Sequence, residues 1–314
     1  MNRRSFGWLG VVAALTLVVG CSPSEEKQAE TEGGEAKLKV TATVGMVADL
    51  ARRIGGDRVE VTTLMGPGVD PHLYKASEGD LRRLGDADVV LYNGLFLEGK
   101  IGDALAQVAE RGKPVVAVAE KIDESKLVHP EEYEGHPDPH VWFDVSLWIR
   151  TVPPIVEGLA AAAPAAEPYF KERAAALVLE LEQLHLWCRE QIASIPEERR
   201  VLITAHDAFG YFGRAYDIEV VGLQGLSTAT EFGLKDVQRI VDLVSDRGIR
   251  AVFVESSVPR RSIEAVVQGC KARGHDVTIG GELFSDAMGE EGTPEGTYVG
   301  MVRSNVETIV GALR

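Results

Sequence analysis

A chain of 314 residues, 45% of them hydrophobic, offers enough length for one large domain or two medium ones. Its formal charge of −15 leaves no basic stripe to release phosphate counterions, which excludes nucleic acid as a partner. A negative surface is compatible with attracting cations, and equally with plain solubility.

Residues 1–20 read as an export signal. Arg3 and Arg4 form the basic start, and the apolar run from Phe6 to Gly20 falls short of the roughly 20 residues a membrane-spanning helix needs. That run ends in Leu17-Val18-Val19-Gly20 directly before Cys21, which resembles the lipobox of bacterial lipoproteins. Such signals are cut before the cysteine and its thiol is acylated, so the expected mature chain starts at a lipidated Cys21. The protein would then be exported and anchored to a membrane, on its periplasmic or extracellular side; an ordinary secretory signal with a chance cysteine is the alternative. Residues 21–37 hold Glu, Ser, Lys and Gly with no aromatic or β-branched aliphatic residue, so burial cannot offset their ordering entropy. They read as a flexible, acidic linker.

From Leu38 onward short β-branched runs alternate with amphipathic helical text. Strands are expected at 38–43, 59–64, 89–93 and 114–118, with helices at 46–54, 77–84 and 101–111. The second half repeats this plan, with strands at 200–204, 218–223, 251–255 and 276–279 and helices at 209–216, 234–247 and 261–273. The expected fold class is α/β, two similar lobes at 38–160 and 197–314, each a parallel sheet flanked by helices. Between them lies a connector, 161–196; within it Ala162 to Ile195 carries no glycine, has prolines only near its start (Pro164, Pro168), and spaces leucines at 177, 179, 181, 184 and 186 among charges. A continuous helix of ~28 residues there would be about 42 Å long, enough to join both lobes and limit hinge opening. Cys188 and Cys270 both fall in helical text about eighty residues apart and are expected as free, buried thiols.

Four residues stand past strand ends or in loops where ligands of open parallel sheets collect. His72 lies in Val-Asp-Pro-His-Leu-Tyr, His140 in Asp-Pro-His-Val-Trp-Phe-Asp, His206 in Thr-Ala-His-Asp-Ala-Phe-Gly-Tyr, and Asp286 in Phe-Ser-Asp-Ala-Met-Gly. Two come from each lobe, which places their meeting point in the cleft between. Neutral imidazoles with one carboxylate suit Zn(II) and tolerate Mn(II), and the absence of thiolates argues against copper(I) or cluster chemistry. Proline after Asp70 and Asp138 restricts the turn that aims each histidine. Asp70, Asp138 and Asp144 are candidates to hold the far ring nitrogens, and Glu255, ending a strand nearby, is another; nothing in the sequence chooses among them. Singly each histidine is weak evidence. His185 and His275 read as structural, Trp142 and Trp148 as packing, and the Met65-Gly66-Pro67-Gly68 turn lacks the Lys-Ser/Thr of a phosphate loop.

These four strings, in this order, resemble the zinc/manganese solute-binding proteins of ABC importers of the TroA/ZnuA type, and the similarity runs from about Leu38 to Arg314. It includes Gln224-Gly225-Leu226-Ser227-Thr228 and the Glu255-Ser256-Ser257 strand end. The resemblance implies two lobes joined by one long helix, with a metal held between them by His72, His140, His206 and Asp286 and little domain rotation on release. It implies a monomer that captures its cargo and hands it to an ABC permease driven by a cytoplasmic ATPase, not an enzyme. Two features depart from the zinc-specific and manganese-specific patterns. The His- and acid-rich loop is reduced to 129–138, with His129, His136, Glu131, Glu132 and Glu134, and reads as a solvated loop. The third ligand is His206, where manganese members often place Glu. Three imidazoles put zinc ahead of manganese. The rival readings are an exported zinc hydrolase, with three ligands and a general base, and a surface adhesin.

Overall fold

The computed structural model describes residues 36–130, 135–230 and 232–314. The export signal, Cys21 and most of the linker therefore lie outside the described residues, as do Glu131, Glu132 and Glu134 of the short loop.

The first half builds β1 (Leu38–Ala42), α1 (Gly45–Gly55), β2 (Val59–Thr63), α2 (Glu78–Asp86), β3 (Val89–Tyr92), α3 (Gly102–Glu110) and β4 (Val115–Ala117). All pairings are parallel, in the order β2-β1-β3-β4. The helices come where the text expects them because the apolar residues recur at helical spacing: α1 buries Met46, Val47, Leu50, Ala51 and Ile54. A four-residue α4 (Val145–Trp148) and α5 (Val152–Ala162) follow, and then α6 (Glu167–Ala193), the long connector. At 27 residues, α6 is about 40 Å long. It starts at Glu167 rather than at the expected bound of 161, because Pro164 takes the chain through a separate 3-10 turn (Pro164–Ala166) first. Leu177, Leu181 and Leu184 face the core with Phe170, Ala174, Cys188 and Ile192, whereas Leu179 and Leu186 point to solvent.

The second half runs β5 (Val201–His206), α7 (Gly210–Tyr216), β6 (Glu219–Gln224), α8 (Leu234–Asp246), β7 (Ala251–Glu255), α9 (Arg261–Ala272), β8 (Thr278–Leu283) and α10 (Tyr298–Leu313). Its strands form two parallel pairs, β5-β6 and β7-β8, with β5 packed beside β7. The spatial order therefore repeats that of the first lobe. At the seam between β5 and β7 a side chain replaces a ladder bond: the backbone N–H of His206 donates to Glu255 Oε1 at 2.8 Å.

Period-two alternation splits the second lobe between two cores. Leu202, Phe253 and Leu283 join the main core with α1, α6 and α10, while Val201, Ile203, Val252 and Val254 face a smaller core under α8 and α9. Three helices, α4, α5 and α10, lie outside the sequence-based expectations. α10 sits directly on β8 because Gly280 and Gly281 have no side chain; a Cβ at those positions would fall 2.7 Å from Ala312 and 2.4 Å from Thr308. Cys188 and Cys270 are free and buried. Among the described residues, no helix is long and apolar enough to cross a membrane.

Candidate metal centre

Asp-Pro-His occurs twice and folds the same way twice. Asp70 Oδ1 accepts the backbone N–H of His72 at 2.9 Å, and Asp138 Oδ1 accepts that of His140, also at 2.9 Å. Each is a short Asx-type turn, with proline fixing the middle residue and the carboxylate fixing the third. His72 thus projects from the loop after β2, and His140 from the loop leading into α4. His206 is the last residue of β5, and Asp286 follows β8 by three positions. The carboxyl ends of parallel strands converge there, and all four side chains are buried, none more than 5% exposed.

The structure brings the four together, with one donor atom from each lying within 4.8 Å of all the others. Nε2 of His72 is 3.3 Å from Nε2 of His140. Asp286 Oδ1 is 3.5 Å from His140 Nε2, and its Oδ2 lies 3.3 Å from His206 Nε2 and 3.7 Å from His72 Nε2. A tetrahedron with metal–ligand bonds of ~2.1 Å has edges of ~3.4 Å. These four spacings, 3.3 to 3.7 Å, lie close to those edges. His206 Nε2 and both oxygens of Asp286 are buried without a hydrogen-bond partner, although leaving a buried polar group without one is costly. These atoms are aimed at a common point rather than at one another, which is the arrangement a dication fits.

Behind the ring nitrogens stand two carboxylates. Asp138 Oδ1 is 2.8 Å from His140 Nδ1, and Glu255 Oε2 makes a short bond to His206 Nδ1. Each holds the proton on Nδ1 and leaves Nε2 facing the pocket. Asp70 acts differently from its expected role, holding the backbone of His72 and bonding Thr228 Oγ1 with its second oxygen. Asp144 does not hold a site histidine: its carboxylate accepts from Leu147 N at 3.2 Å and Ser146 Oγ at 2.6 Å, capping α4. The separation has a local cause. Asp144 opens a helix, where orphan N–H groups compete for its oxygens, whereas Asp138 lies two residues before His140.

Trp142 is a contributor that its reading as a packing residue understates. Its indole N–H donates to the carbonyl of Ser285 at 3.1 Å, beside Asp286, while its ring lies edge-on to His140 at 5.2 Å. It ties a residue of the first lobe to the segment that carries the acidic group of the second. Tyr298 Oη in turn donates to Trp142 O at 2.6 Å. The only sequence signal for this was the aromatic two positions after His140.

The electrostatics follow from charges closed off from water. Burial pulls the His140 imidazole down, but Asp138 and Asp286 outweigh it and its pKa rises to about 9. His206 is likewise opposed by burial and raised well above its usual value by Glu255 and Asp286. Burial pushes Asp286 up, yet His206 and His140 hold it well below the ordinary carboxylate range. His72, dominated by burial, is lowered to about 3 and stays neutral.

The other histidines serve elsewhere. His185 Nδ1 contacts Tyr216 Oη, His275 Nε2 bonds the carbonyl of Ile249, His136 stacks on Phe96 at 4.3 Å, and His129 faces Glu124.

A change that leaves all four inner groups in place tests the support behind them. Glu255→Gln keeps size and one acceptor but loses the charge on His206 Nδ1, and it is expected to weaken zinc binding roughly 10–100-fold. Isothermal titration against wild type measures this; equal affinities would mean that the Glu255 bond serves folding alone.

Residues 40–312 match the family described as ZnuA, zinc-uptake complex component A, periplasmic. The chain is 52% identical over 305 residues to the manganese-binding lipoprotein MntA of Bacillus subtilis, covering 97% of both. It is 48% identical over 306 residues to the zinc-binding protein TroA of Treponema pallidum, covering 97% of this chain and 96% of that one. The iron ABC transporter substrate-binding lipoprotein MtsA of Streptococcus pyogenes is 29% identical over 315 residues, with 98% of each covered. The solved structure of the periplasmic zinc-binding protein TroA from Treponema pallidum superposes with a TM-score of 0.86 at 49% identity, covering 88% of this chain and 99% of that one.

Proposed function

The chain belongs to the ZnuA family of periplasmic zinc-uptake components, and from that premise we propose that His72, His140, His206 and Asp286 hold its cargo, a single divalent metal ion. It is a metal-binding solute-binding protein of ABC transporters for zinc or manganese. The observation that carries the ligand assignment is the convergence of three buried Nε2 atoms and a carboxylate without a hydrogen-bond partner at near-tetrahedral spacing.

Of the two metals, zinc is the cargo this donor set favours. Three imidazoles and one carboxylate at ~3.4 Å edges suit a four-coordinate borderline ion, whereas manganese prefers more oxygen donors in an octahedron. The relatives pull both ways, since MntA is named for manganese and TroA for zinc. Delivery would be to a permease with its cytoplasmic ATPase, as the ABC transporter relative implies. Lipidation at Cys21 would keep a monomeric receptor near that permease, on the periplasmic or extracellular face.

Hydrolysis would need an open coordination position and a free general base. Four side chains already surround the point, and Glu255 is engaged by His206. The named relatives are binding proteins and bear on neither catalysis nor adhesion.

Competitive titration of the signal-free protein, zinc against manganese, with elemental analysis of the purified material, tests the preference. Zinc is expected to displace manganese at equal concentration; manganese displacing zinc would reverse the assignment.

A further inference from the structure

The Gln224-Gly225-Leu226-Ser227-Thr228 string is not part of the metal-binding group, yet the structure gives it a position against that group. It forms the loop leaving β6 in the second lobe. Gln224, mostly buried, donates through Nε2 to the carbonyls of Thr228, at 2.9 Å, and Thr230, which curls the loop back on itself. At its base, Gly225 O lies 3.5 Å from the N–H of Asp207, next to His206. At its tip, Thr228 Oγ1 crosses to the first lobe and donates to Asp70 Oδ2. The other oxygen of Asp70 holds the backbone of His72. One loop therefore touches the neighbours of a ligand-bearing histidine in each lobe, and Asp70 carries the contact from Thr228 to His72.

We propose that the Thr228–Asp70 hydrogen bond is an interlobe latch that slows metal departure by holding the His72 turn against the second lobe. Thr228 is a positioning residue: it acts through Asp70 on the backbone of His72. Releasing it frees the first-lobe ligand to move without large rotation about α6. A hydroxyl-to-carboxylate bond is among the stronger kinds, so its loss is expected to raise the dissociation rate about tenfold. The on-rate, set by diffusional encounter rather than by this bond, should hardly move.

The inference rests on metal capture by the four-residue group, and its test separates the two. The full chain, loaded with zinc alone, is mixed with excess chelator and zinc release is followed by stopped flow for wild type, Thr228→Val and Thr228→Ser. Valine keeps the shape and removes the hydroxyl, while serine keeps the hydroxyl. The expected result is release about tenfold faster in the valine variant, wild-type release in the serine variant, and no added effect of valine in an Asp70→Ala background, which has no group left to accept the hydroxyl. Unchanged release in the valine variant, equal acceleration by valine and serine, or the same added effect in the Asp70→Ala background would each overturn the latch. Wild-type zinc affinity in His140→Ala would overturn the ligand assignment and the latch with it.

Discussion

Replacing His140 with alanine is expected to lower zinc affinity by more than the roughly 10–100-fold that losing an outer partner costs. His140 stands closer to the centre than any such partner. In the proposed site it is one of four donors; it has no exposed surface, and faces His72 on one side and Asp286 on the other. Removing the ring leaves an opening that water can fill only with a weaker donor. It also strips Asp138 of the bond to Nδ1 and Asp286 of a positive neighbour in a water-excluded site. Competition against a chelating dye measures the loss, with near-UV circular dichroism checking that the aromatic core around Trp142 is retained. Wild-type affinity in the variant would remove His140 from the centre.

Much of the plan is legible in the residues alone, because the repeating signals are local. Parallel strands buried on both faces leave runs such as Val-Val-Leu-Tyr at β3, and the leucine spacing of α6 needs no tertiary information. What escaped was set by packing. α10 carries four valines and two glycines, and it packs as a helix because Thr308 and Ala312 seat on the side-chain-free surface of Gly280 and Gly281 while Tyr298, Met301, Val302, Val306 and Ile309 are buried. The same glycines disguise the end of β8, which runs to Leu283. At the centre, His72, His140, His206 and Asp286 could be named from their strings, but the carboxylates behind them could not be sorted. Asp138 and Asp144 flank the same histidine in sequence, and only the start of α4 takes Asp144 away. Glu255 reaches His206 because β5 and β7 are neighbours, a fact of topology that no local spacing contains.

Zinc at about a thousandfold excess over its dissociation constant should stabilise the folded chain by about 4 kcal/mol, through binding to the folded state alone. For a body of this size that corresponds to a rise in melting temperature on the order of 10 °C. The rise should depend on pH, and its sign follows from the protons the metal must displace. His140, raised to about 9, and His206, raised well above its usual value, both carry protons at neutral pH without metal, so binding releases protons. His72, lowered to about 3, is already neutral and releases none. Affinity should therefore strengthen as pH rises from about 6.5 toward 9. The metal-free protein should move the other way. A histidine whose folded pKa is raised stabilises fully below its unfolded value, near 6.5, and loses that contribution as pH climbs through the folded value. The gap between metal-loaded and metal-free melting temperatures should thus widen across that window. Calorimetry at a series of pH values, with binding repeated in buffers of different ionisation enthalpy, reads both effects. A gap that narrows with rising pH, or heats independent of buffer, would mean that His140 and His206 carry no proton for the metal to displace.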